Sequence, residues 1–149
     1  MRSGAQGQNI SGARTIKRVL VVDDEPMIVE LLREAFGSFR HGYAYELEVA
    51  HDGADALMAL LLRKFDLLVV DMYMPRMGGL ELLEQMRTHG VRVPVLMVTG
   101  NQSAKAAADA ISANVFAYIP KPLDLAHLDH IVALALPSSR TVAGPIPIG

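Results

Sequence analysis

Residues 67–71 read Leu67-Leu-Val-Val-Asp71, an unbroken apolar run that stops on a carboxylate. A strand without polar alternation is buried on both faces, the habit of a parallel sheet covered by helices on either side. The same arrangement recurs in both directions along the chain. Upstream, Arg18–Val22 is a β-branched run that ends at Asp23-Asp24-Glu25. Downstream, Pro94–Val98 ends at Thr99, and Val115–Ile119 is followed by Pro120 and Lys121. Glu46–Ala50 alternates, which places it at or near a sheet edge. Helical periods lie between these runs. Pro26–Phe36 puts Ile28, Leu31, Leu32, Ala35 and Phe36 on one face, and 53–62, 80–87, 103–112 and 123–136 follow suit. Five strand–helix pairs with short links predict an α/β fold. Its core is a doubly wound five-stranded parallel sheet, with helices on both faces and right-handed crossovers.

At 149 residues the chain is sized for one domain, which buries roughly 70% of its unfolded surface. Residues 1–16 and 137–149 are rich in Gly, Ser and Pro and lack any period. They are expected to be flexible, the first a tail and the second a tail or linker, around a folded unit at 17–136. Sixteen acidic against fourteen basic residues argue against a broad basic surface for nucleic acid. No cysteine is present, so disulfides, thiolate metal sites and thiol nucleophiles are excluded. The longest apolar run, Ala56–Leu62, is far short of the ~20 residues of a membrane span. The N-terminus does not read as a signal peptide, and the expected location is cytoplasmic.

Ligands of doubly wound sheets sit outside the carboxyl ends of the strands. Those ends carry Asp23, Asp24 and Glu25, then Asp71, Thr99 and Lys121. They are distant in sequence and adjacent in the expected fold. Clustered carboxylates repel one another and call for a cation. Oxygen donors without Cys or suitably spaced His favour a hard ion, with Mg²⁺ the natural candidate. Such a site suits phosphoryl chemistry. Asp71 is the candidate nucleophile, with Lys121 and Thr99 supplying a charge and a hydrogen bond to phosphoryl oxygens. Taken singly, each residue has a plainer explanation. Asp24 before Glu25-Pro26 could cap a helix, Asp71 could serve a turn, and Lys121 could be a solvated charge. Their joint occurrence at successive strand ends is what favours a site.

With these residues in view, the chain resembles the receiver domain of two-component response regulators over about 18–136. The resemblance rests on Val21-Val-Asp-Asp-Glu-Pro26, Asp71-Met-Tyr-Met-Pro-Arg-Met-Gly-Gly79, Thr99-Gly100 and Lys121-Pro122. It implies the flavodoxin-like (βα)5 fold with strand order 2-1-3-4-5. It also implies that Asp71 is the phosphoacceptor for a histidine kinase or histidine phosphotransfer protein. Mg²⁺ would be held by Asp24, Asp71 and the backbone carbonyl of Tyr73, with Asp23 acting through water. Lys121 would contact the phosphoryl group, and its bond to Pro122 would be cis. Thr99 and Tyr118 would act as the switch, changing the face offered to a downstream target protein. Tyr73 stands at a position that is variable in the family, where its bulk would slow attacking water. Asn114 stands where the family often has Gly, and Asn tolerates the left-handed backbone.

Other features have plainer readings. His127 and His130 lie one turn apart without a third ligand, so solvent or a partner explains them better than a metal. Met72, Met74 and Met77 read as core packing. Lys105, Asp109, Asp124 and Asp129 are sparse for a dimer held by many salt bridges, which argues against that kind of dimer and leaves a phosphorylation-dependent dimer open. The favoured function is a phosphorylation switch that catalyses only its own phosphorylation and dephosphorylation. It binds neither nucleic acid nor membrane directly. A receiver module of a longer regulator or hybrid kinase is the alternative. A phosphorylation-independent interaction module is disfavoured by the intact Asp71, Thr99 and Lys121. A Mg²⁺-dependent phosphatase is disfavoured because no Asp-x-Asp follows a strand.

Overall fold

The computed structural model describes residues 15–100 and 103–136. Of the tails expected at 1–16 and 137–149, residues 1–14 and 137–149 lie outside the described residues, and Ile16, expected in the first tail, belongs to a strand. Among the described residues five strands and five helices alternate. The strands are β1 (Ile16–Val22), β2 (Ala44–Ala50), β3 (Leu67–Asp71), β4 (Val95–Thr99) and β5 (Ala117–Pro120). The helices are α1 (Pro26–Ser38), α2 (Gly53–Leu62), α3 (Gly79–Thr88), α4 (Ala104–Ser112) and α5 (Leu125–Ala135). All strand pairs are parallel and the order is β2-β1-β3-β4-β5, as expected.

Strand side chains alternate between faces, so one sheet builds two cores. Val19, Val21, Leu67, Val69, Leu96, Val98 and Ile119 face α1 and α5, meeting Leu32, Phe36, Leu128 and Val132. Leu20, Val22, Leu68, Val70 and Met97 face the other way, toward Ala56, Leu60, Leu82, Met86 and Ala110. Every residue of β3 and β4 is buried, which is why neither strand alternates in sequence. Met72 is buried in the second core, with Met74 and Met77 packed against it, as the packing reading requires.

Strand and helix limits differ modestly from the sequence reading. β1 begins at Ile16 rather than Arg18, and β2 gains Ala44 and Tyr45, because the two strands pair over their full length. β5 starts at Ala117, where its ladder with β4 opens opposite Leu96. Ser103 and Asp124 are caps rather than helical residues, accepting hydrogen bonds from Ala106 N and from Ala126 N and His127 N. Asp24 is not a cap: Glu25 occupies that position in α1 and no side chain caps it. Asn114 has φ +64°, the left-handed backbone that its side chain tolerates.

The β2 edge is tied to α5 through a cluster that the sequence did not reveal. His41 contacts Tyr45 Oη and Asp129 Oδ1, both at 2.6 Å, and stacks on Phe39. Tyr43 donates to the carbonyl of Leu136 at 2.5 Å.

Gly79 marks a tight backbone approach near the strand ends. A Cβ there would lie 2.6 Å from the Asp71 carbonyl oxygen and 3.1 Å from Met72 Cα, and backbone cannot yield as a side chain can. Gly79→Ala is therefore expected to cost about 2 kcal/mol, in the range of overpacked cores. Urea unfolding measures it as a lower midpoint at unchanged slope. A midpoint equal to that of the parent chain would mean that this crossing is loose.

Candidate functional site

The register brings the expected residues to one edge. Val22 pairs with Val70, so Asp23 and Asp24 leave β1 beside Asp71 at the end of β3. Asp71 pairs with Val98, next to Thr99, and Thr99 pairs with Pro120, next to Lys121. Asp23, Asp71 and Thr99 are buried, while Asp24 is exposed. Tyr118 lies on β5 opposite Met97 and packs partly into the second core. The Lys121–Pro122 bond is cis, as the resemblance implied.

Lys121 is the hub of the edge. Its Nζ lies 2.6 Å from Glu25 Oε1, 3.2 Å from Asp23 Oδ2 and 3.3 Å from Asp71 Oδ2. The backbone N–H of Lys121 donates to the Thr99 carbonyl at 2.9 Å, fixing the base of the side chain. Asp23 accepts from the Glu25 N–H at 2.9 Å, and Asp71 Oδ1 from the Tyr73 N–H at 3.3 Å. Glu25 as a partner of Lys121 was not foreseen. The contact spans 96 residues, and a glutamate beside two aspartates reads in sequence merely as more negative charge.

Burial pushes the carboxyls of Asp23 and Asp71 above the usual carboxylate range, and their contacts with Lys121 only partly offset it. Burial by itself would lower Lys121. Its bond to Glu25 and the charges of Asp23 and Asp71 outweigh that and hold the ammonium above the usual lysine range.

One carboxylate oxygen from each of Asp23, Asp24 and Asp71 lies within 4.8 Å of the others. Three hard oxygen donors, buried on one side and open on the other, fit a Mg²⁺ ion, which binds through few carboxylates and keeps waters. A shallow hollow beside them is lined by Asp23, Asp24, Glu30, Arg33 and His51. A larger groove of about 800 Å³ opens at the opposite end of the sheet, between Leu83, Met86, Val93 and Phe116, remote from the carboxylates. His127 and His130 are exposed and outside the acidic cluster. Lys105 pairs with Asp109 within α4 at 2.9 Å. Among the described residues no helix is long and apolar enough to cross a membrane.

The raised Asp71 carboxyl has a consequence for stability. Ionising it costs the folded state, so stability falls as pH rises from about 3.9, the ordinary carboxylate value, through the raised folded value. Metal-free Asp71→Asn is thus expected to melt a few degrees above the parent at pH 7, the scale of about 1 kcal/mol in such a domain. The gap narrows as pH falls and the parent carboxyl takes up its proton, and Mg²⁺ narrows it at pH 7. Thermal melts across pH test this, and a lower melting temperature at pH 7 would contradict it.

The family model of the response regulator receiver domain matches residues 19–133. Response regulator MprA of Mycobacterium avium (strain 104) is 39% identical over 111 residues, covering 74% of this chain and 47% of that protein. MprA of Mycobacterium tuberculosis (strain ATCC 25618 / H37Rv) is equally similar, with 46% of its length covered. The chain thus spans about half the length of these curated relatives. Among solved structures, Vibrio cholerae chemotaxis protein CheY4 is 26% identical with a TM-score of 0.71, covering 82% of this chain and 100% of that one. A CheY-like receiver domain protein from Methanospirillum hungatei JF-1 is 29% identical with a TM-score of 0.68, covering 79% and 91%.

Proposed function

The chain belongs to the response regulator receiver domain family, a signalling module of two-component systems, and on that premise we propose that it is a phosphorylation switch operated at Asp71. The observation that carries this reading is the convergence of Lys121 on Asp71 and Asp23 beside the open carboxylate edge. The donor is a phosphohistidine on a histidine kinase or phosphotransfer protein. An Asp71 carboxylate oxygen forms a bond to phosphorus as the phosphorus–nitrogen bond of the donor breaks, and the imidazole leaves. Asp24, Asp71 and the Tyr73 carbonyl would hold Mg²⁺, with Asp23 acting through water. When bound, the ion neutralises phosphoryl charge during transfer.

Lys121 is already charged and beside Asp71, so the charge that meets the new phosphoryl oxygens is in place before transfer. It must then loosen its hold on Glu25 or Asp23, which shifts the loop that follows β5. Thr99, at the end of β4, supplies a hydroxyl, and Tyr118 on the next strand follows. The α4–β5–α5 face then favours a different target protein. The module works in the cytoplasm. It acts alone or as the receiver part of a longer regulator or hybrid kinase. The length of the curated relatives favours the second of these.

The test is intact mass after incubation with acetyl phosphate and, separately, with a phosphorylated histidine phosphotransfer protein, each with and without Mg²⁺. One phosphoryl gain that requires Mg²⁺ is expected. No gain from either donor would overturn the reading.

A further inference from the structure

Among the described residues the buried polar side chains are Asp23, Asp52, Asp71 and Thr99. Three belong to the edge described above. Asp52 stands apart, before α2. Its Oδ1 accepts from the Asp55 N–H at 2.9 Å and so caps that helix. A cap needs only one oxygen, and Asn or Ser would supply it. The carboxylate spends its second oxygen on an ion pair with Arg76, which sits in the loop between β3 and α3. A buried carboxylate needs such a partner. The Arg76 backbone is left-handed, with φ +66°, a state that persists only where its surroundings enforce it.

The next residue makes a second attachment: Gly53 N–H donates to the Met77 carbonyl at 3.0 Å. Contact there is so close that a Gly53 Cβ would lie 2.6 Å from that oxygen. At the other end of the loop, Gly79 N–H holds the Met72 carbonyl at 2.9 Å. Tyr73, whose carbonyl is the proposed metal donor and whose N–H contacts Asp71, lies between these attachments.

We infer that the Asp52–Arg76 ion pair is a positioning clamp: it fixes the loop after Asp71 to the start of α2 and thereby sets the affinity of the carboxylate edge for Mg²⁺. This rests on the proposed function for the identity of the cation. The clamp itself is independent of it.

The test is Mg²⁺ titration of the unphosphorylated chain, followed by NMR, for Asp52→Asn, Arg76→Ala and the double variant. Asp52→Asn keeps a capping oxygen and removes the pair. Arg76 is largely exposed, so Arg76→Ala spares the core. Simple charge effects have opposite signs: losing Asp52 would weaken cation binding and losing Arg76 would tighten it. The clamp predicts that both weaken it by about tenfold, the scale on which supporting partners of metal ligands act. The double variant should bind no worse than either single one, because the two side chains form one device. Unchanged or tighter Mg²⁺ binding in Arg76→Ala overturns the inference. So does an additive loss in the double variant.

Hydrogen exchange at the Gly53 amide, measured without metal, separates the two claims. Faster exchange in both single variants supports the clamp even if the parent chain binds no Mg²⁺, an outcome that would count against the proposed function alone. Unaltered exchange in both overturns the clamp.

Discussion

Asp71→Ala is expected to take up no phosphoryl group from acetyl phosphate or from a phosphorylated phosphotransfer protein, at any Mg²⁺ concentration. The loss should span many orders of magnitude, as when a nucleophile is removed from a site whose other parts remain. Neighbouring carboxylates do not substitute easily. Asp23 is buried, and its two oxygens are engaged by the Glu25 N–H and by Lys121. Asp24 is exposed, whereas Asp71 is buried and fixed by the Tyr73 N–H. The fold should survive, because the pressure on Asp71 is the cost of its charge, which alanine removes. Intact mass and peptide mapping provide the measurement. A phosphoryl group retained by Asp71→Ala and mapped to Asp23 or Asp24 would move the acceptor and rule out the present assignment.

Lys121→Ala should produce the next largest change, in two observables of different origin. The first is rate. A preformed charge aimed at developing phosphoryl oxygens is worth about 10²-fold, so phosphorylation by acetyl phosphate should slow on that scale. The second is response. The Lys121 ammonium holds Glu25, Asp23 and Asp71 together, and its redirection is the proposed link between Asp71 and the Thr99–Tyr118 region. Once phosphorylated, the variant should keep its Thr99 and Tyr118 amide resonances near the unphosphorylated positions. Without metal it should also be less stable, since three carboxylates lose their common cation, and Mg²⁺ should restore most of that loss. If the phosphorylated variant shows the same resonance changes as the parent chain, Lys121 is not part of the switch.

Much of this molecule was legible along the chain because sheet and helix periods are local properties. Leu67–Val70 and Val95–Val98 declared their burial by lacking polar alternation, and each run ended on a residue with chemistry to offer. In a parallel sheet all such ends share one edge, so Asp23, Asp24, Asp71, Thr99 and Lys121 could be grouped before any coordinate was known. The limits of β2 and β5 were less legible, because a partner strand decides how far a ladder extends.

Contacts made through loops carry no period, and these only the tertiary structure decided. Glu25 meets Lys121 across 96 residues, and His41 meets Asp129 across 88. Asp52 reaches Arg76 only because α2 begins beside the loop that follows β3. In sequence Asp52-Gly53 and Arg76 are an ordinary cap and an ordinary surface cation. The sequence by itself determined which groups arrive at the edge, since strand order and direction follow from local pattern and right-handed connection. The tertiary structure decided which of those groups touch, how deeply each carboxylate is buried and which loop holds which. Those properties depend on side-chain reach and dielectric surroundings, which exist only once the chain has closed on itself.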